Sequence, residues 1–339
     1  MGKLFCRFGA IALTLFFASI LASPAHAADH VKIGIIKTTS SGPIYIAVEK
    51  GYFAAAGIDP ELIFFDAAQP VAVATVSGDV DVGSTGLTAG FYTFASQGAV
   101  KIIGGQGREA PGFHNLGYFV SNRAYDAGFK SLKDMAGHTV ALSQTGSPGH
   151  YVVGALAEKY GISFADIKVV SLQSVPNIFS ALTGGQVDAG VTVVTVPVMP
   201  SIARGDLHVL RWIGDELAFQ DRAIFVTTKT ANERRALLTR FLAAFRKGTA
   251  DYRAAFIGPN DQPQEGPTAP EMLSIIGKYV GQPPDSIKLG LAYVDGQLRV
   301  NTQDILHQIA WYKSQGMLKG DVSPAQIFDA NFVVPLDHK

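Results

Sequence analysis

The feature that most restricts the fold is an alternation of short apolar runs with helical stretches, traversed twice in the same order. On the first pass VKIGIIK (31–37) reads as a β-branched strand and IYIAVEKGYFAAAG (44–57) as a helix. ELIFFD (61–66) reads as the next strand, 69–77 as a short helix, then DVDVG (79–83), STGLTAGFYTFASQG (84–98) as a helix, and VKIIGG (100–105) as a strand. On the second pass HTVALS (138–143) leads into a helix over SPGHYVVGALAEKYG (147–161). IKVVSL (167–172), a helix near 176–184, VDAGVTV (187–193) and LHVLRWI (207–213) follow. Short apolar strands separated by helices imply mostly parallel sheets covered on both faces.

Two extended apolar segments stand at the unit boundaries, NLGYFVS (115–121) and RAIFVTT (222–228). They read as crossing strands between two lobes, with residues 28–120 and 225–339 in lobe one and 121–224 in lobe two. The remainder is expected to pack back on lobe one. From Thr230 the chain offers a capping box with Glu233 and an apolar stripe through Leu238, Phe241, Phe245, Tyr252 and Phe256. Residues 257–270 read as a surface loop. Helices are expected near 270–280 and 302–315, and from Pro324 with Ser323 as its cap.

The N-terminus has a different character. Lys3 and Arg7 precede the apolar run Phe8–Leu21, and Ala25-His26-Ala27 gives a small-x-small cleavage site, the layout of a secretory signal over residues 1–27. The single cysteine, Cys6, lies inside that segment and ahead of its apolar core. A mature chain therefore has no disulfide and no thiolate, and a lipid anchor at the cleavage point is not expected. Cleavage removes Lys3 and Arg7 and no acid, leaving 26 basic against 28 acidic residues. A near-neutral chain without basic runs argues against nucleic acid as a partner. A soluble, exported, periplasmic protein is expected.

Several chemistries find no motif. There is no G-x-S-x-G, no H-E-x-x-H and no P-loop, and the histidines lack ligand spacing. Gly105-Gln106-Gly107-Arg108-Glu109-Ala110 fits G-x-G-x-x-A, but Pro111 and Gly112 follow and no helix opens to meet a pyrophosphate. Asp79 and Asp81 suggest a calcium loop only faintly, since the terminal carboxylate is missing. No cofactor, metal or catalytic residue is expected.

Instead, hydroxyl- and glycine-rich turns precede helices: Thr38-Thr39-Ser40-Ser41-Gly42, Gly83-Ser84-Thr85-Gly86 and Ser143-Gln144-Thr145-Gly146-Ser147. Ligands of parallel sheets sit at the carboxyl ends of strands, and free amides at helix starts favour anionic or acceptor-rich groups. The same residues also serve as ordinary helix caps.

YIAVEKGYFAAAGIDPELI (45–63), VSGDVDVGSTG (76–86), SLKDMAGHTVALSQTGSPGHY (131–151), LAEKYGISFADIKVV (156–170), ALTGGQVDAGV (181–191) and FLAAFRKGTADYR (241–253) together resemble the sulfonate/nitrate/taurine and thiamine-precursor binding proteins. These are type II periplasmic receptors of ABC importers. The resemblance spans nearly the whole mature chain. It implies two α/β lobes closing about a cleft, no covalent chemistry, and delivery of a small organic anion to a membrane permease and its ATPase. It implies Ser40, Ser41, Ser84, Thr85, Gly146 and Ser147 as ligand-binding residues. Where the family often has Ser-Ala-His after that Gly-Ser, this chain has Pro148-Gly149-His150, with His150 read as structural. The segment Val194-Thr195-Val196-Pro197 lacks the family's usual aromatic, leaving Thr195 as the candidate contact. Arg108 and His114, in the loop before the crossing strand, are candidate cleft residues that serve equally as solvated loop groups. Lys37 has an undecided side, and Trp212 reads as core. A monomer is expected. The rival readings are a lyase-type enzyme on the same fold and a sensory receptor for a pyrimidine-like ligand.

Overall fold

The computed structural model describes residues 27–194 and 198–336. The expected export signal lies, up to residue 26, outside the described residues. The elements follow the order β1 (Asp29–Ile36), α1 (Gly42–Glu49), α2 (Tyr52–Ala55), β2 (Ile58–Phe65), α3 (Ala68–Ser77), β3 (Val82–Gly86), α4 (Ala89–Ser96) and β4 (Val100–Gly107). The second unit contains β5 (Leu116–Ser121), α5 (Asn122–Asp126), β6 (Thr139–Leu142), α6 (Pro148–Lys159), β7 (Lys168–Ser171), α7 (Val175–Thr183), β8 (Ala189–Val193), α8 (Val198–Arg204) and β9 (Leu207–Trp212). β10 (Arg222–Thr227), α9 (Thr228–Glu233), α10 (Arg235–Phe256), α11 (Ala269–Val280), α12 (Pro284–Lys288), α13 (Thr302–Ser314) and α14 (Pro324–Ile327) complete the chain.

Two five-stranded sheets form, ordered β2-β1-β3-β10-β4 and β7-β6-β8-β5-β9. Each is parallel except for its fourth strand. That antiparallel strand is the one donated by the chain on its way between lobes, so β10 completes the first sheet and β5 the second. β5 pairs along its length with β8 and β9, and β10 with β3 and β4. The pairing thus puts the crossings at 108–115 and 213–221, ahead of the boundaries at 120/121 and 224/225 expected from sequence. The main-chain ladder decides this, since a strand bonded on both edges belongs wholly to one sheet. Val31, Ile33 and Ile35 of β1 are fully buried between the helical layers, as a central parallel strand requires.

Three local readings change. The expected 44–57 helix breaks at Gly51, whose φ of +69° ends α1 and restarts the chain as α2. The expected 84–98 helix begins only at Ala89. Ser84 and Thr85 lie in β3, and Thr88 is the cap, accepting from the Phe91 amide. The Thr230–Glu233 capping box is replaced by Thr227, whose side chain accepts from the Thr230 amide to start α9. Ser323 does form a capping box with Gln326.

The C-terminal segment does not pack on lobe one alone. α13 stands across both lobes. Gln308 accepts from the Tyr92 hydroxyl of α4 (2.9 Å), and the Tyr312 hydroxyl donates to the Ser147 carbonyl (2.8 Å). Trp311 packs so closely over Gly154 of α6 that a Cβ there would lie 2.1 Å from its ring. The lobes also touch directly, since the Ala89 amide donates to the Gly146 carbonyl at 2.8 Å.

Candidate functional site

A cavity of about 600 Å³, its mouth included, lies between the sheets at their carboxyl ends. β1 ends into it at Ile36, and the following turn supplies Thr38, Ser40 and Ser41. β3 supplies Ser84, Thr85 and Gly86, β4 supplies Gln106, and β10 supplies Arg222. Lobe two contributes Leu116, Ser143, Ser147, Pro148 and the β8 end Val191, Thr192 and Val193, with Val175 at the start of α7.

The polar atoms of this wall are incompletely satisfied. Ser84 Oγ, Ser147 Oγ, both amide atoms of Gln106, and Nε and Nη2 of Arg222 are buried and make no hydrogen bond within the protein. Buried polar groups are ordinarily paired, and each orphan costs roughly 1–3 kcal/mol. Their gathering from both lobes around one cavity marks a place built to bond a guest. Arg222 is only 4% exposed. Its Nη1 donates to Asn115 Oδ1 at 2.6 Å, which leaves the Nε–Nη2 edge unpartnered. That edge is the planar fork that takes a carboxylate or sulfonate with two parallel bonds.

Helix starts add positive potential. α1, α3 and α6 begin at the cavity with no side-chain cap, whereas neighbouring α4 and α7 are capped by Thr88 and Ser174. The hydroxyl of Ser41 donates instead to the Ile36 carbonyl at 2.9 Å. Uncapped amides and helix dipoles favour negative charge. Among the described lining residues Arg222 is the one cation and Asp221 the one acid, and the rest of the surface is largely aliphatic.

A family model described as NMT1/THI5 like matches residues 38–255, well over half of the chain. The chain belongs to the NMT1/THI5-like family. Solved structures with the same fold include the periplasmic aliphatic sulphonate binding protein SsuA of Escherichia coli. It is 21% identical with a TM-score of 0.68, covering 90% of this chain and 98% of that one. The alkanesulfonate-binding protein SsuA of Xanthomonas axonopodis pv. citri, bound to MOPS, is 18% identical with a TM-score of 0.68 and coverage of 91% and 98%. The periplasmic nitrate-binding protein NrtA of Synechocystis PCC 6803 is 13% identical with a TM-score of 0.70, covering 88% and 84%. No curated protein sequence matches. The likeness establishes the two-lobed periplasmic binding protein fold for this NMT1/THI5-like chain.

The structure brings Ser40, Ser41, Ser84, Thr85 and Ser147 together on the cavity wall. Gly146 lies one step behind it. Its amide donates to His150 Nδ1 (3.0 Å) and its carbonyl accepts from Ala89. Burial holds His150 down at about 4, so the ring stays neutral and can accept. Arg108 and His114 do not line the cavity. Arg108 sits over the Tyr293 ring, 4.6 Å from its centroid, and His114 stacks on Trp212 at 4.3 Å. Ring faces offer both side chains an apolar support that the polar wall does not. Burial lowers the His114 ring below its usual range. Thr195 lies outside the described residues. Lys37 is also absent from the lining, and Trp212 is partly buried between His114 and Phe119.

Gln106 and Arg222 escaped sequence reasoning. Gln106 falls inside the G-x-G-x-x-A segment and Arg222 opens the extended apolar segment 222–228, and neither is among the residues expected from sequence at the site. A signal was present in the second case. An arginine opening an otherwise buried strand must either leave the core or find a partner inside it.

Proposed function

We propose that this protein is a solute-binding receptor of an ABC importer. It captures a small organic anion in the cleft between its lobes and presents it, in the periplasm, to a membrane permease and its ATPase. The observation that carries this reading is that buried Arg222, whose Nε and Nη2 have no hydrogen-bond partner in the protein, lines the same cavity as the free hydroxyls of Ser84 and Ser147. Ser40, Ser41 and Thr85 add hydroxyls around the same guest. The aliphatic surfaces of Leu116, Val175 and Val193 suit a carbon body in place of a bare inorganic ion. Ligand contacts to both lobes would favour the closed form over an open one, which is the requirement for a shape that a permease can distinguish. No covalent step is part of this reading. The protein works as a monomer in it. A thermal-shift screen of alkanesulfonates, carboxylates, nitrate and pyrimidines tests it. Stabilisation by organic anions, followed by compaction in small-angle scattering, is the expected result. Stabilisation by neutral pyrimidines alone would sink it.

A further inference from the structure

Beneath the cavity floor the two inter-lobe connections meet in a buried polar cluster. Glu109 and Asn115 come from the outgoing connection, and Asp221 and Arg222 from the end of the return. The Asn115 Nδ2 group donates to both acids, at 2.5 Å to Glu109 Oε1 and 3.0 Å to Asp221 Oδ2. Its Oδ1 accepts from Arg222 Nη1, and Asp221 Oδ2 stands 3.5 Å from the same nitrogen. The Glu109 amide also donates to the Phe219 carbonyl at 2.9 Å, stitching the connections together. Glu109 Oε2 is buried with no hydrogen-bond partner.

We propose that Glu109, Asn115 and Asp221 form a positioning cluster that aims the Arg222 fork at the cleft and makes anion affinity depend on whether Glu109 carries a proton. This rests on the anion reading of the cleft. Asn115 and Asp221 occupy the Nη1 side of the guanidinium, and Nε and Nη2 are left without a partner in the protein. Because the partners sit on both connections, the fork holds this orientation only while the connections are drawn together.

The charge count supplies the second half. Two buried acids face one buried base, and an anionic guest would make three negative groups against one positive. Low-dielectric surroundings do not tolerate that excess, and a proton on one acid removes it. Burial first, then the Asp221 charge, pushes Glu109 up to about 8, against the opposing pull of Asn115, Arg222 and the Leu116 amide. Burial also raises Asp221, with Arg222 and Asn115 opposing. The tyrosines that feel this charge, Tyr252 beside Arg222 and Tyr312 beside Asp221, are raised by burial and stay neutral through the same range.

The test compares the wild type with Glu109→Gln by calorimetric titration of 1-butanesulfonate from pH 7 to 9.5, and by ligand-free melting from pH 5 to 8.5. In the wild type, ionising Glu109 should weaken the sulfonate about tenfold across the first range, and E109Q should bring that ratio close to one. Folding takes up a proton where the folded group titrates above the unfolded one. Wild-type stability should therefore fall, relative to E109Q, as pH rises through the second range. An affinity ratio that E109Q shares with the wild type, or parallel melting curves, overturns the proposal. Absence of butanesulfonate binding at every pH overturns the sulfonate form of the anion reading along with the coupling, whereas binding with a shared pH profile sinks only the cluster.

Discussion

The two lobes repeat one topology and present different chemistry to the gap between them. Lobe one offers polar groups at and just beyond its strand ends: the hydroxyls of Ser40, Ser41, Ser84 and Thr85, the Gln106 amide and the Arg222 guanidinium. Lobe two answers with Leu116, Val175, Val191 and Val193, relieved by Ser143, Ser147 and Thr192. Identical sheet order therefore fixes where a guest sits and leaves open which half holds its charge. If the proposed anion reading holds, the division implies a sequence in time: the anion would dock on lobe one first, and lobe two would then cover its apolar part and exclude water.

That contrast can be broken most directly at Arg222. Arg222→Gln removes a charge-assisted pair of bonds and should cost about 3 kcal/mol of affinity, near a hundredfold, in calorimetry with the best organic anion. Melting of the unliganded variant separates this from a folding defect. A loss no larger than that of a lobe-two hydroxyl would dissolve the distinction between a gripping and a covering half.

A second test addresses closure. Gly146 has φ of +77°, and a Cβ on it would lie 2.8 Å from the Ala89 Cβ of the opposite lobe. Gly146→Ala should weaken binding by about 1–2 kcal/mol through backbone strain and a lobe-to-lobe clash. Scattering should show a more open average with ligand present. Full compaction at unchanged affinity would mean that this contact plays no part in closing.

The smallest effect belongs to Ser147→Ala. One hydroxyl without an internal partner gives up roughly 1 kcal/mol when it loses a hydrogen bond to a guest. Unchanged affinity would remove Ser147 from the site.

Much of the frame was legible because it follows from periodicity. The β-branched run of β1, the stripe of α10 and the twofold passage of strands and helices specify buried faces whatever the neighbours are. The hydroxyl-rich turns were legible in the sequence, though Ser84 and Thr85 prove to lie in a strand, and the five turn hydroxyls expected at the site, of Ser40, Ser41, Ser84, Thr85 and Ser147, belong to residues that line the cavity. Arg108 and His114 looked like cleft groups because their loop leads to the crossing, but a loop's position in sequence says nothing of which ring its side chains will find. Tyr293 and Trp212 come from segments distant in the chain.

The sequence by itself determined two α/β units, the extended segments that close each sheet and the hydroxyl-rich turns, since each depends on neighbours within a few residues. Only the tertiary structure decided the rest. It joined Asn115, itself bonded to Glu109, to Asp221 and Arg222 across 106 and 107 residues of chain, and it laid α13 over both lobes. The physical reason is that hydrogen bonds and burial depend on distance in space, and a buried charge is defined by the groups that folding brings around it.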